Sequence, residues 1–272
     1  MLSEAQIDRV EGLIREVAAT LIVPRFDALS DDEIVQKSGP DDLVTIADRE
    51  AELALTPRLM DILPGSVVVG EEATADDPSV PERLLGDDPV WLVDPVDGTR
   101  NFVHGLATFG VMVALVHEGT TQAGWIFAPM EGVMARAIKG EGAWLDGKPL
   151  QGRKGVSFSD AFGDYSSTYV DPPLRDLFSD ALKSVRGTRQ GHCSAYAYLD
   201  TARGELDFVL QYRMSPWDHA AGVLLVEEAG GAARFLDDGE GYTPLPRGSR
   251  AMLTVSDKAM WTDYVGTLPK VE

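Results

Sequence analysis

Two aspartates stand three positions apart in the stretch Trp91-Leu-Val-Asp94-Pro95-Val96-Asp97-Gly98-Thr99-Arg100-Asn101-Phe102. An apolar run leads into Asp94, and Pro95 and Gly98 then force a tight turn, so the two carboxylates can converge instead of splaying to opposite faces. Converging carboxylates repel, and they need a cation or a shared proton. Hard oxygen donors with no His or Cys cluster nearby favour Mg²⁺, with Mn²⁺ or Ca²⁺ as substitutes. Gly98 and Thr99 fall where a helix would start, and backbone N–H groups at such a start form an anion site. Acids that gather cations beside an anion cradle point to a phosphate substrate.

Two further acids leave other elements. Glu71 follows the apolar run Ser66–Gly70, and Asp218 opens a predicted helix in Ser215-Pro216-Trp217-Asp218-His219-Ala220-Ala221-Gly222. Each has a plain structural reading when taken singly: Asp218 as a helix cap, Glu71 as a solvated loop acid, Asp94 as a turn former. The string Asp94 to Thr99, with two acids, Pro, Gly and Thr in fixed order after an apolar strand, is the part that resists such readings.

The elements that must position these residues can be read from periodicity. Ile7, Val10, Ile14, Val17 and Leu21 recur at helical spacing, Ser3 and Gln6 have the capping-box spacing, and Pro24 stops the helix. A second helix begins near Thr45 with Ile46, Leu53, Leu59 and Ile62 on or near one face, after a loop from Lys37 to Asp42. Short strands follow at Ser66–Gly70, Pro89–Val93, Gly110–His117, Ala123–Phe127 and Val133–Ile138, the last three spaced as an antiparallel meander. Gly152–Asp160 reads as a connector. Beyond it the chain predicts helices at Pro173–Lys183, Ser194–Arg203 and Pro216–Glu228. Strands are predicted at Glu205–Leu210, Ala232–Leu236 and Met252–Val255, with a short helix opening at Ser256. Segregated helices and antiparallel strands predict an α+β fold. Residues 1–150 form an N-terminal α+β half with most of the acids. Residues 151–272 form a C-terminal α/β half with Asp218 and the substrate pocket, and the two make one unit.

Composition limits the partners. The chain has 272 residues, 24 Lys and Arg against 44 Asp and Glu, and a formal net charge of −20. That charge argues against nucleic acid polymers and anionic membranes, which are polyanions themselves. No apolar run approaches the roughly 18 residues of a membrane span. The lone Cys193 excludes an internal disulfide, and the acidic start lacks a secretory signal, so the expected setting is cytoplasmic.

The segments WLVDPVDGTRNFVHG, Gly70-Glu71-Glu72 upstream, and PWDHAAG followed by EEAGG downstream closely resemble the inositol monophosphatase family of lithium-sensitive, Mg²⁺-dependent phosphatases. The stretch Lys37–Asp48 is similar to that family's N-terminal motif. The resemblance implies a layered αβαβα sandwich of the inositol monophosphatase and fructose-1,6-bisphosphatase type, usually a homodimer. It implies two or three Mg²⁺ held by Glu71, Asp94, Asp97, Asp218 and the Val96 carbonyl. Gly98 and Thr99 would bind phosphate, and Thr99 with Asp48 and Glu71 would serve the attacking water. Asp97, Cys193, Ser194, Ala195, Gln211 and Asp218 would contact the substrate. In inositol-specific members the position of Gln211 is commonly Glu, and Ser215 and Pro216 also depart from the usual residues. Gln still donates and accepts, which keeps a polyol among the candidates.

The implied reaction is hydrolysis of a small phosphate monoester, inositol 1-phosphate first, with histidinol phosphate, a sugar (bis)phosphate or a 3′-phosphonucleotide as alternatives. A non-catalytic metal-dependent binding protein is the reading from another class, and it has no use for a water-orienting pair such as Thr99 and Asp48. Other motifs carry less. Gly142–Lys148 matches a P-loop spacing but ends in Pro149 rather than Ser or Thr, and Asp146-Gly147 is a hairpin signal. Cys193 lacks the Arg spacing of a cysteine phosphatase. The four His show no zinc spacing; His219 follows a proposed ligand, and both a site role and a structural one stay open for it. Arg213 reads as a solvated strand-end residue or as a contact to a charged substrate.

Overall fold

The computed structural model, which describes residues 2–30, 33–36, 43–246 and 248–270, stacks five layers in the order helix, sheet, helix, sheet, helix. The expected αβαβα sandwich is therefore present. The first layer pairs α1 (Glu4–Val17) with α2 (Ile46–Ile62). Ser3 and Gln6 close the capping box on α1, and Thr45 and Asp48 close another on α2. The first helix does not simply stop at Pro24: Ala18–Ile22 widens into a π turn and Val23–Arg25 then tightens into a 3₁₀ turn, which accommodates a residue without an N–H. The Lys37–Asp42 loop lies outside the described residues.

A small antiparallel ribbon of β1 (Ile34–Gln36) and β2 (Leu43–Thr45), absent from the sequence expectation, precedes α2. The second layer is a seven-stranded sheet in chain order. Its strands are β3 (Val67–Gly70), β4 (Val90–Asp97), β5 (Gly110–His117), β6 (Thr120–Ala128), β7 (Val133–Ile138), β8 (Gly142–Leu145) and β9 (Lys148–Pro149). β3 and β4 are parallel, joined through the short helix α3 (Glu71–Asp76); β5 to β7 form the expected antiparallel meander, which β4 on one side and β8 and β9 on the other extend. Another short helix, α4 (Thr99–Val103), leaves β4. The P-loop-like stretch is a hairpin whose turn residues Asp146 and Gly147 both have positive φ.

The remaining layers come from α5 (Pro172–Ala181), α6 (Ser194–Ala202), α7 (Pro216–Glu228) and α8 (Trp261–Thr267) and from a mixed five-stranded sheet. Its strands β10 (Phe162–Tyr165), β11 (Gly187–Arg189), β12 (Phe208–Gln211), β13 (Ala232–Phe235) and β14 (Met252–Val255) lie in the order 11-10-12-14-13. α6 and α7 fill the space between the sheets. Leu92, Met112 and Ala114 meet them from one side, and Ala233, Phe235 and Met252 from the other. Trp91, Val93, Val111 and Val113 point the opposite way, against α1 and α2. Burial on both faces explains why β4 reads as an unbroken apolar run rather than an alternating one. α5 and α8 cover the outer face of the small sheet. The buried face of α2 differs from expectation. Leu53 is 74% exposed, and the inner face is Ala47, Asp48, Ala51, Glu52, Leu55, Leu59 and Ile62, with two carboxylates where apolar residues would be expected.

Candidate active site

Because β3 and β4 run parallel, with Gly70 opposite Val93, their C-terminal ends open at one edge of the sheet. Glu71 leaves the first of these ends, and Asp94 to Thr99 leaves the second. Along β4 the register with β5 slips between Asp94, which faces Met112, and Asp97, which faces Gly110. One extra residue in β4 is a bulge, and it turns two side chains that would alternate toward the same side. Val96 N–H donates to Asp94 Oδ1 at 3.1 Å and tightens the turn. Gly98 then takes φ +84°, and a Cβ there would lie 3.0 Å from Cys193 Cβ and 3.1 Å from the Thr108 carbonyl, so only glycine fits.

Asp218 is the third residue of α7 and enters from the middle layer. Glu71, Asp94, Asp97 and Asp218 line one cavity of about 170 Å³, together with Val96, Gly98, Thr99, Cys193, Ser194 and Gln211. Asp48 sits fully buried behind this wall and reaches it through Thr99, whose hydroxyl lies 3.1 Å from Asp48 Oδ1 and 2.9 Å from the Val96 carbonyl. The other Asp48 oxygen accepts from Thr45 N and Oγ1. Ala195 stands apart from the expected pocket lining. Its side chain is buried in the core, and its contribution is a backbone N–H donated to Asp97 Oδ2 at 2.7 Å. The Cys193 thiol donates to the same oxygen at 2.8 Å, so the start of α6 grips the end of β4.

The electrostatics are those of crowded acids. Burial, and then the charges of Glu71, Asp97 and Asp218, push Asp94 well above the usual carboxylate range. Burial lifts Asp97 to about 6 against the Cys193, Ala195 and Ser194 hydrogen bonds that favour its ionised form. Burial and the Asp97 charge lift Asp218 to about 7, opposed by Arg213 and by bonds to Ser215 and Asp94. Burial likewise raises Asp48 to about 6. Burial and the neighbouring Asp97 push the Cys193 thiol far up, which makes it a donor and not a nucleophile. Among the described residues no three Asp, Glu, His or Cys side chains converge on a single ligating point; the four acids ring the cavity instead. The donor set is nonetheless all oxygen and mutually repelling, with Asp94 and Asp97 buried, and a divalent hard cation relieves that repulsion.

The opposite wall was only partly legible. His192, Tyr169 and Asp164 line it, and Arg213 joins them with its guanidinium 4.9 Å over the Tyr169 ring. Gln211 is held by Tyr198, whose hydroxyl is 2.8 Å from Gln211 Oε1, and it donates through Nε2 to Ser194 Oγ at 3.1 Å. Tyr198 also lies 2.8 Å from His219 Nδ1, while His219 Nε2 lies 2.6 Å from the Arg213 carbonyl. Burial holds His219 near 4, so it is neutral, and both its nitrogens are engaged within the protein. The single Tyr198 proton serves His219 or Gln211, not both. A Tyr and a His placed in otherwise apolar helices was the available signal, since a buried polar tip needs a partner.

The sequence profile of the inositol monophosphatase family matches residues 5–260. The chain is 31% identical over 247 residues to the inositol-1-monophosphatase of Bacillus subtilis, covering 89% of this chain and 90% of that one. It is 35% identical over 213 residues to a histidinol-phosphatase of Chlorobaculum parvum, 73% of this chain and 76% of that one. Its fold superposes on an IMPase of Thermotoga maritima with a TM-score of 0.82 at 27% identity, over 97% of this chain and 96% of the other. The chain belongs to the inositol monophosphatase family. It is a phosphatase, a phosphoric monoester hydrolase, in a family of metal-dependent enzymes. Among the described residues no helix is long and apolar enough to cross a membrane.

Proposed function

We propose that this phosphatase hydrolyses a phosphate monoester of a small hydroxylated metabolite, inositol 1-phosphate first, in the presence of Mg²⁺. The observation that carries the proposal is the meeting of four acids and the Gly98 turn at one cavity, with Thr99 in its wall backed by Asp48. Glu71, Asp94, Asp97, Asp218 and the Val96 carbonyl are the groups that would hold two or three Mg²⁺, with Mn²⁺ or Ca²⁺ able to take their place. Bound there, the ions would supply charge neutralisation at the phosphate and the leaving oxygen and a lowered pKa for an attacking water.

The chain's own groups do the rest. The Gly98 and Thr99 amides, at the start of α4, cradle the phosphoryl oxygens. The Thr99 hydroxyl directs its proton to Asp48 or to the Val96 carbonyl, so its lone pairs accept a hydrogen of the incoming water and aim the water at phosphorus. Gln211, Ser194 and Asp97 face the leaving group, and the mixed donor and acceptor character of Gln211 and Ser194 suits a polyol. No covalent intermediate is needed, consistent with the buried, proton-donating Cys193.

The same reading includes inhibition by millimolar Li⁺, a homodimer and a cytoplasmic setting. The experiment is a panel of esters assayed with Mg²⁺ and with chelator: inositol 1-phosphate, histidinol phosphate, fructose 1,6-bisphosphate and adenosine 3′,5′-bisphosphate. Mg²⁺-dependent release highest for inositol 1-phosphate supports the proposal. Release that survives chelation refutes the metal role, and preference for another ester reassigns the substrate.

A further inference from the structure

α3 carries Glu71 as its first residue, yet its N-cap is Gly70, which has no side chain to serve the exposed first-turn amides. Those amides find their acceptor elsewhere. Glu52, on the inner face of α2 and only 6% exposed, accepts from Glu72 N through one carboxylate oxygen and from Ala73 N through the other, both at 2.8 Å. These are the two amides that a Ser or Asp N-cap would ordinarily satisfy. The carboxylate also places a negative charge at the positive end of the short helix.

Gly70 is matched to this arrangement. Its backbone is ordinary extended chain, φ −102° and ψ 158°, which any residue adopts, so conformation does not require glycine. Space does: a Cβ at position 70 would lie 2.2 Å from Glu52 Cδ and 2.4 Å from both carboxylate oxygens. A cap from position 70 and a cap from Glu52 exclude one another. Asp48, one helical turn earlier on the same face of α2, reaches Thr99 in a parallel way.

We propose that Glu52 is a positioning residue for Glu71: by capping α3 from across the fold, it fixes the direction in which Glu71 enters the cavity. The proposal rests on the reading of Glu71 as a cation ligand. Residues that hold a ligand from behind typically change metal affinity ten- to a hundredfold when altered.

The test uses the full chain and Mg²⁺ alone, titrated by calorimetry, beside turnover at saturating Mg²⁺ and thermal melting. Glu52→Gln, which offers a donor where two amides need acceptors, weakens Mg²⁺ by about tenfold or more while saturated kcat changes little. Glu52→Ala does the same. Adding Gly70→Ser to Glu52→Ala restores Mg²⁺ affinity to within about threefold of wild type, because serine now fits and caps α3 locally. A purely structural Glu52 lowers the melting temperature and leaves Mg²⁺ affinity alone, which overturns the proposal. So does failure of the serine to restore affinity in a folded double variant. Should Glu52→Ala not fold, the Glu52→Gln titration decides alone. Glu71→Gln separates the two levels. If wild type binds Mg²⁺ and Glu71→Gln does not, the underlying reading holds whatever Glu52 does. If wild type binds none, that reading falls and the positioning role with it.

Discussion

Replacing Asp218 by Asn removes a charge from a site that holds too much of one sign, so it should stabilise the metal-free protein while destroying its activity. Burial and the Asp97 charge raise Asp218 to about 7, against 3.8 for an ordinary aspartate. The folded state therefore holds its proton more tightly than the unfolded chain. Stability from this group is complete below about pH 4, falls as pH rises, and is gone above about pH 7. At pH 8 the cost of the ionised form is about 4 kcal/mol. Part of the carboxyl faces the cavity, and asparagine must still accept from Ser215, so about 2 kcal/mol is the expected gain from the substitution. For a chain of this size that corresponds to a rise of roughly 4 to 8 °C in melting temperature. The assay is scanning calorimetry of wild type and Asp218→Asn in chelator at pH 5 and pH 8, repeated with Mg²⁺. The variant should melt higher at pH 8, and the gap should narrow at pH 5, where wild type is protonated. Mg²⁺ should then reverse the order. A variant that melts below wild type in chelator at pH 8 would refute the account of the acid ring as an electrostatic burden.

Asp94→Asn should cut Mg²⁺-dependent phosphate release by more than about a hundredfold, beyond the loss seen when only outer partners of a ligand are removed; unchanged turnover would remove Asp94 from the site. Thr99→Ala should lower kcat by about a hundredfold or more with little change in KM, while Thr99→Ser keeps most of the activity, since only the hydroxyl faces Asp48 and Val96. Gly98→Ala forces a positive φ on an L-residue against the Cys193 side chain and the Thr108 carbonyl, and should cost about 2 kcal/mol or more in urea unfolding. Cys193→Ser should retain phosphatase activity, because a hydroxyl also donates to Asp97 Oδ2; complete loss would restore a chemical role for the thiol.

Most helices and strands were legible because their signals are local, while the five-layer stacking came from the family resemblance. Gly110–His117, Val133–Ile138, Pro216–Glu228 and Met252–Val255 have the bounds that periodicity and turn residues predict. Asp94 and Asp97 were legible as a pair because Pro95 and Gly98 advertise the turn, whereas Glu71 and Asp218 joined them only through the family resemblance. What carried no local signal was pairing at a distance. β10 and β11 are short strands whose partners lie far along the chain, and neither was expected. Leu53 was placed on the inner face of α2 because it is apolar. The position actually buried is Glu52, made tolerable by two amides of a helix some twenty residues away. The Tyr198–His219–Gln211 chain was missed for the same reason, since it joins α6, α7 and β12 only once both sheets have closed on the middle layer.

The confinement of α7 between two sheets bears on how the enzyme exchanges its ligands. From His219 to Val226 every residue of this helix is buried. Its central amides can meet solvent deuterium only when the whole domain opens, so their protection should report the global unfolding energy. Asp218 thus sits at the tip of a rod sheathed along its length, as the neighbouring α6 also is, so whatever enters or leaves the cavity passes a fixed post.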